Sequence, residues 1–200
     1  MTIIKTKSKN LKELVKIANQ AIKKGKIIIL PTDTVYGLIC DTTNRTAIER
    51  LFKIKKRKSS KAIPIFIKNI KTAKDLAWVD KKQEGFLKKV WPGKVTAVLK
   101  AKNKKRFPKG IISKDEKIGL RISNYKFLNQ ILTKANLPLT ATSANISGKP
   151  ASTKIKDVIS QFENQKFKPD LIFNGGDLKK SKPSKVIDLT GEKLKILRNG

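Results

Sequence analysis

The stretch Lys26-Ile27-Ile28-Ile29-Leu30-Pro31-Thr32-Asp33-Thr34-Val35-Tyr36-Gly37-Leu38 decides the fold class. Four large aliphatic side chains follow one another without a polar break, so the run reads as a buried strand rather than one with a face in water. Pro31 ends it, since proline cannot donate to the next ladder bond. The chain then changes character: two hydroxyls, a carboxylate and a glycine that admits close backbone approach. Thr32 to Gly37 is either a polar turn bonded to its own backbone or one wall of a ligand site. The ends of strands in α/β sheets are where such crevices commonly form.

Upstream, Asn10 precedes Leu11, Leu14, Val15, Ala18, Ala21 and Ile22 at helical spacing, with Gly25 as a stop, which predicts an amphipathic helix over 11–24. Downstream, helical and extended patterns alternate. Helices are expected over 46–56, after Asn69, after Asp80, over 124–135 and from a Thr153 cap to Phe162. Strands are expected over 64–68, 95–99, 118–122, 137–144, 171–173, 186–189 and 194–197. Residues 102–117 read as a mobile, exposed, lysine-laden loop. Interleaving of this kind implies one α/β domain over residues 1–200, with helices covering a twisted mixed sheet.

The chain holds 47 Lys+Arg against 15 Asp+Glu, a formal charge of +32. Attraction to RNA or another polyanion is one reading of that charge. Only six of the 47 are arginine, and the lysines are spread from Lys5 to Lys195, as a compositional bias would leave them with no dedicated surface. The rare arginines mark places where a planar fork is needed. Arg45 and Arg50 fall on a predicted helix and Arg106 in the basic loop, where solvation suffices; Arg57, Arg121 and Arg198 lie in or beside motifs. There is no histidine, and Cys40 is the only cysteine, which excludes disulfides, Cys/His zinc sites and Ser-His-Asp or Cys-His catalysis within one chain. No apolar run approaches the roughly 20 residues of a membrane span, and the N-terminus has no signal-peptide core, which points to the cytoplasm.

Three further segments join the first. Lys53, Lys55, Arg57 and Lys61 form a cationic helix exit, suited to phosphate oxygens or simply solvated. Lys117-Ile-Gly-Leu-Arg121 puts an arginine on a mostly apolar strand, where it needs a carboxylate or phosphate partner if it points inward. Thr140-Ala-Thr-Ser-Ala-Asn-Ile-Ser-Gly148 is rich in hydroxyls and amides and reads as an anion cradle or a plain polar loop. No P-loop and no dinucleotide glycine fingerprint occurs, so phosphates would be held in another way.

Together these segments resemble the YrdC-like, TsaC-type family of threonylcarbamoyladenylate synthases. The resemblance rests on Pro31 to Leu38, Lys55-Lys-Arg57 with Lys61, Trp91-Pro-Gly93, Gly119-Leu-Arg121, Thr142 to Gly148, Val186-Ile-Asp-Leu189 and Ile196-Leu-Arg198. It implies a twisted α/β fold around a positive cavity, in the short form without the extra C-terminal domain of longer members. It also implies a nucleotidyltransferase that condenses L-threonine, bicarbonate and ATP into threonylcarbamoyl-AMP, pyrophosphate and water for tRNA modification.

By the resemblance, Thr34, Phe66, Arg121, Ala141 and Ser184 would hold threonine, and Arg57, Lys61, Lys117, Ser143, Asn145, Ala151 and Arg198 the ATP. Thr32 would be a further wall residue, Lys55 and Arg57 would act electrostatically, and Mg2+ would arrive on the nucleotide. Phosphoryl chemistry of this type depends on positioning and charge neutralisation, so the lack of histidine is no obstacle. Alanine at Arg57 or Arg121 should then remove activity without unfolding the protein. Partner proteins would act on the tRNA, with weak RNA affinity through the basic surface as an added possibility. Lys58, Ala62 and Lys185 depart from residues usual in the family. A YrdC-fold RNA-binding paralogue without catalysis and a hydrogenase-maturation carbamoyl-adenylate domain are the alternatives.

Overall fold

The aliphatic run forms strand β2 (Ile28–Leu30) in the computed structural model, which describes residues 1–200. Its alternation has a purpose on both faces. Ile28 and Leu30 pack with helices α1 (Leu11–Lys23) and α5 (Lys126–Ala135), whereas Ile27 and Ile29 point into the larger core beneath. Two buried faces leave no position for a polar residue, which is why the run is unbroken.

Two mixed sheets replace the one expected. The first has the order β1-β9-β2-β3-β8, built from β1 (Thr2–Lys5), β3 (Gly37–Ile39), β8 (Thr142–Ser143) and β9 (Leu171–Asn174) around β2. The second runs β11-β10-β5-β6-β4-β7, from β4 (Ile65–Phe66), β5 (Val95–Lys100), β6 (Lys117–Arg121), β7 (Leu139–Thr140), β10 (Lys185–Asp188) and β11 (Lys195–Arg198). Helices α2 (Arg45–Lys55), α3 (Ile70–Leu76), α4 (Lys81–Val90) and α6 (Ile155–Phe162) complete the fold. Asn10, Asn44 and Asn69 cap α1, α2 and α3 through their side chains, and Asp80 and Gln83 form a capping box on α4. These satisfy backbone donors that have no partner inside the helix. No helix is long and apolar enough to cross a membrane.

Several expectations need correction. Residues 137–144 are not one strand: β7 pairs with β4 in the second sheet and β8 with β3 in the first, and Ala141 between them donates its N–H to Pro64 O at 2.7 Å. Thr153 does not cap α6. The N-cap is Lys154, and the free N–H of Ile155 is taken by the Asp177 carboxylate at 3.0 Å. The 102–117 loop is anchored rather than uniformly exposed, because Phe107 and Ile111 enter the core and Lys104 pairs with Glu116.

Arg50 is not merely solvated. It forks onto Asp170 at 2.7 and 2.9 Å and bonds Lys168 O at 2.9 Å, tying α2 to the entry of β9. Arg50→Ala should therefore lower stability by about 1–2 kcal/mol in a urea titration while leaving ligand binding intact.

Candidate functional site

Period-two alternation builds the floor of an 850 Å³ cavity on one face of the second sheet. In β6, Ile118 and Leu120 go into the core, so Lys117, Gly119 and Arg121 face the cavity. In β5, Ala97 and Leu99 are core while Thr96 and Val98 face out; in β10, Ile187 is core while Val186 and Asp188 face out. Ser184, just before β10, continues that row. A residue spacing of two therefore collects side chains from three strands onto one surface. The sites lie across a sheet face, not only at strand ends.

Arg121 is fixed at one end of the floor. Only 4% of its side chain is exposed, and Nη2 donates to Asp33 Oδ1 at 2.7 Å. Nε donates to Gly93 O at 3.0 Å and Nη1 to Thr34 Oγ1 at 3.3 Å. Gly93 has to be glycine, since a Cβ there would lie 2.5 Å from Val90 O. Asp33 also accepts from Ser123 Oγ at 2.6 Å and from the Asn124 N–H at 3.1 Å. The Arg121 guanidinium lies 5.5 Å from the centre of the Phe66 ring, which lines the same end. Thr34 is buried and shares a 3.1 Å hydroxyl contact with Thr32, whose own hydroxyl donates to Val35 O at 2.6 Å. Ser184 is buried too and meets Thr96 Oγ1 at 2.8 Å.

Lys55 leaves α2 and turns inward. Its side chain is buried, and Nζ donates to Ser143 O at 2.6 Å, Asn145 O at 2.8 Å and Asn145 Oδ1 at 3.3 Å. Burial and then the charge of Arg57 lower its pKa from 10.5 to about 7. The Asn145 amide donates to Lys149 O at 2.6 Å and Ile146 O at 3.0 Å, and Ser143 Oγ meets Asn145 Oδ1 at 2.5 Å. The hydroxyl-rich loop is thus held from within by one lysine. Lys53, two residues back and so near the opposite side of α2, lies over the Phe167 ring away from the cavity.

Charge in the lining is lopsided: Lys55, Lys56, Arg57, Lys58, Lys61, Lys117, Arg121 and Arg198 against Asp115 and Asp188. Arg57 bonds only carbonyls, Lys61 O at 3.1 Å and Ala62 O at 3.2 Å, and Arg198 bonds Ser184 O at 2.7 Å and Ser184 Oγ at 3.2 Å. Burial and the nearby Arg198 both lower the Arg57 pKa; burial lowers that of Arg198. Two guanidiniums facing one cavity with no carboxylate between them are an unfavourable arrangement until an anion arrives. Lys117 instead pairs with Asp188 at 2.8 Å.

Of the residues that the resemblance assigns to threonine or ATP, with Thr32 and Lys55, all line this cavity except Ala151; Lys53 and Asp33 do not line it. Ala151 sits beyond Pro150, and the lining in that part of the loop comes from Ser147 and Gly148. Sequence reading missed Asp188, Thr96, Val98, Ser113, Asp115 and Lys58 as lining residues. Alternation with the core residue Ile187 was the signal that could have found Asp188. Among the carboxylates, no group is clustered with others in a way that could hold a metal ion.

The chain is similar to known proteins over nearly its full length. A family model described as Sua5_yciO_yrdC, telomere recombination, matches residues 20–200. A Vibrio vulnificus protein named threonylcarbamoyl-AMP synthase is 30% identical over 194 residues, covering 96% of this chain and 98% of the relative. A Pyrococcus abyssi protein of the same name is 31% identical over 202 residues, and this chain spans 58% of its length. The structure of P. abyssi Sua5 complexed with L-threonine matches with a TM-score of 0.85 at 29% identity, over 98% of this chain and 56% of that one.

Proposed function

The chain belongs to the Sua5, YciO and YrdC family, and on that premise we propose that it is an L-threonylcarbamoyladenylate synthase, a nucleotidyltransferase. It takes L-threonine, bicarbonate and ATP to threonylcarbamoyl-AMP, pyrophosphate and water. The observation that carries this is the joining of two unlike regions in one cavity. One is a small pocket of Thr34, Phe66, Ser184 and the clamped Arg121 fork; adjoining it, Arg57, Lys61, Lys117 and Arg198 offer several cations to a polyanion, and Arg198 meets Ser184 O at 2.7 Å where the two regions join.

In this reading the Arg121 fork and the Thr34 hydroxyl hold threonine by its carboxylate, Phe66 and Ser184 close around its side chain, and the Ala141 backbone adds an edge. The threonine amine and bicarbonate give a carbamate and water. A carbamate oxygen bonds to the α-phosphorus of ATP while the bond from that phosphorus to the bridging oxygen breaks, and the electron pair leaves with pyrophosphate. Arg57 and Arg198 bear on the charge that develops on the phosphates, and no side chain acts as nucleophile. Mg2+ enters on ATP as part of the substrate. The product passes to the proteins that place threonylcarbamoyl groups on tRNA, in the cytoplasm.

The deciding experiment supplies L-threonine, bicarbonate, ATP and Mg2+, and looks for threonylcarbamoyl-AMP by mass spectrometry. Product and pyrophosphate that require all three substrates are expected; salt-sensitive RNA binding without adenylate would overturn the reading. Arg57→Ala is expected to reduce product formation by about 10–100-fold with an unchanged unfolding midpoint, because its bonds in the free protein go only to Lys61 O and Ala62 O.

A further inference from the structure

Asp188 is out of place in a cavity dominated by cations. A carboxylate pointing into a site for polyphosphate repels the ligand, so its presence demands a reason. The geometry supplies one. Asp188 Oδ1 is fixed by two donors from Thr190, the backbone N–H at 2.9 Å and the hydroxyl at 2.7 Å. Oδ2 is left free for Lys117 Nζ at 2.8 Å. Burial pushes the Asp188 pKa up, but the bonds from Lys117 and Thr190 outweigh it and hold the group below the usual carboxylate range.

The pair reaches across the sheet. Asp188 on β10 lies level with Val98 on β5, and Val98 with Gly119 on β6, whereas Lys117 starts one pleat further along β6. With strands about 4.8 Å apart, the lysine must lie diagonally over β5 to meet the carboxylate. Val98 and Gly119 line the cavity beside that path, and Gly119 lacks a side chain where Pro64 packs over it, a Cβ there lying 3.1 Å from Pro64 Cβ. An unpaired lysine at the rim would instead sample many rotamers, and ordering it on binding would cost side-chain entropy.

We infer that Asp188 is a positioning residue, which together with Thr190 lays the Lys117 ammonium across the cavity floor and presets it for the polyphosphate of a nucleoside triphosphate. This rests on the nucleotide-binding half of the function proposed above. Asp188 does not touch the reacting atoms, and its action is exerted through Lys117.

The test measures ATP-Mg binding directly by calorimetry, with no threonine or bicarbonate present, so that it stands whether or not adenylate forms. Asp188→Asn keeps the shape and removes the charge. It should weaken ATP binding by about tenfold, the worth of one charge-assisted hydrogen bond, and in turnover should raise the ATP KM much more than it lowers kcat. Lys117→Met should weaken binding at least as much, and the double variant should be no weaker than Lys117→Met alone. Thr190→Val, which leaves both charges in place, guards against a folding defect in Asp188→Asn and should weaken binding by a smaller factor. Tighter or unchanged ATP binding in Asp188→Asn, or effects of Asp188→Asn and Lys117→Met that simply multiply, would overturn the assignment.

Discussion

Replacing Arg121 by alanine is expected to cut adenylate formation by at least about a thousandfold and to cost about 3–5 kcal/mol of folding stability. The sequence alone implies loss of activity without unfolding, and the buried partner Asp33 changes that. Asp33 is 8% exposed and its Oδ1 is shared between Arg121 and Ser123. Without the guanidinium that carboxylate would be a charge in a nearly dry site, held only by Ser123 and the Asn124 N–H. Desolvation of an ion costs several kcal/mol, more than two neutral donors return.

The two losses can be separated. Asp33→Ala alone strands the guanidinium instead and should be similarly unstable. The double variant Arg121→Ala, Asp33→Ala removes both charges and should recover about 2 kcal/mol or more of what either single change loses. Activity should not return with stability, since the fork that binds a carboxylate is gone. Chemical unfolding of the four proteins, with product measured by mass spectrometry, reads both quantities. A double variant that regained product along with stability would mean that Arg121 serves the fold alone.

This pair also shows where sequence reading reaches and where it stops. Arg121 was legible because a guanidinium on an apolar strand must have an anion, and Asp33 lies in the very motif that flagged the site. Strand β2 was legible because burial on both faces leaves a continuous aliphatic run. Arg50 was not, since its partner Asp170 is 120 residues away and nothing on a helix surface distinguishes a paired arginine from a solvated one. The division of residues 137–144 between two sheets was hidden for a related reason: a strand of two residues has no periodicity to read, and its partners β3 and β4 are set by tertiary packing. Asp188 was placed in the strand over 186–189 but not as a site residue, because a single acidic residue near a strand end is ordinarily solvated; alternation with the core residue Ile187 turns it toward the cavity.

Lys55 makes the sharpest demand on the physical account, because two features of its surroundings oppose each other. Burial and Arg57 bring its pKa down to about 7, which favours a neutral amine under mildly alkaline conditions. Three oxygens around Nζ call for three N–H donors, which only the ammonium has. The sign of the linkage separates them. If the folded pKa is near 7 and the unfolded value near 10.5, the unfolded chain binds one more proton between those limits, so stability rises with pH across that window and is least below it. Lys55→Met cannot titrate. The stability of the unmodified protein relative to Lys55→Met should therefore climb by about 1.4 kcal/mol per pH unit between pH 7.5 and 9.5, read from urea unfolding at three pH values.

The loop should respond in the opposite direction. Loss of the third N–H above pH 7 frees one of Ser143 O, Asn145 O and Asn145 Oδ1, so amide exchange across residues 143–148 should quicken, beyond its intrinsic base catalysis, as global stability increases. In Lys55→Met, Asn145 O loses its donor while Ser143 O keeps only the Asn145 N–H and Asn145 Oδ1 only Ser143 Oγ, and product formation should fall by about a hundredfold or more because Ser143 and Asn145 are no longer tied to α2. A stability difference that stays flat from pH 7.5 to 9.5 would mean that the three oxygens win and the ammonium persists. Lys55 would then clamp the loop with equal force throughout that range.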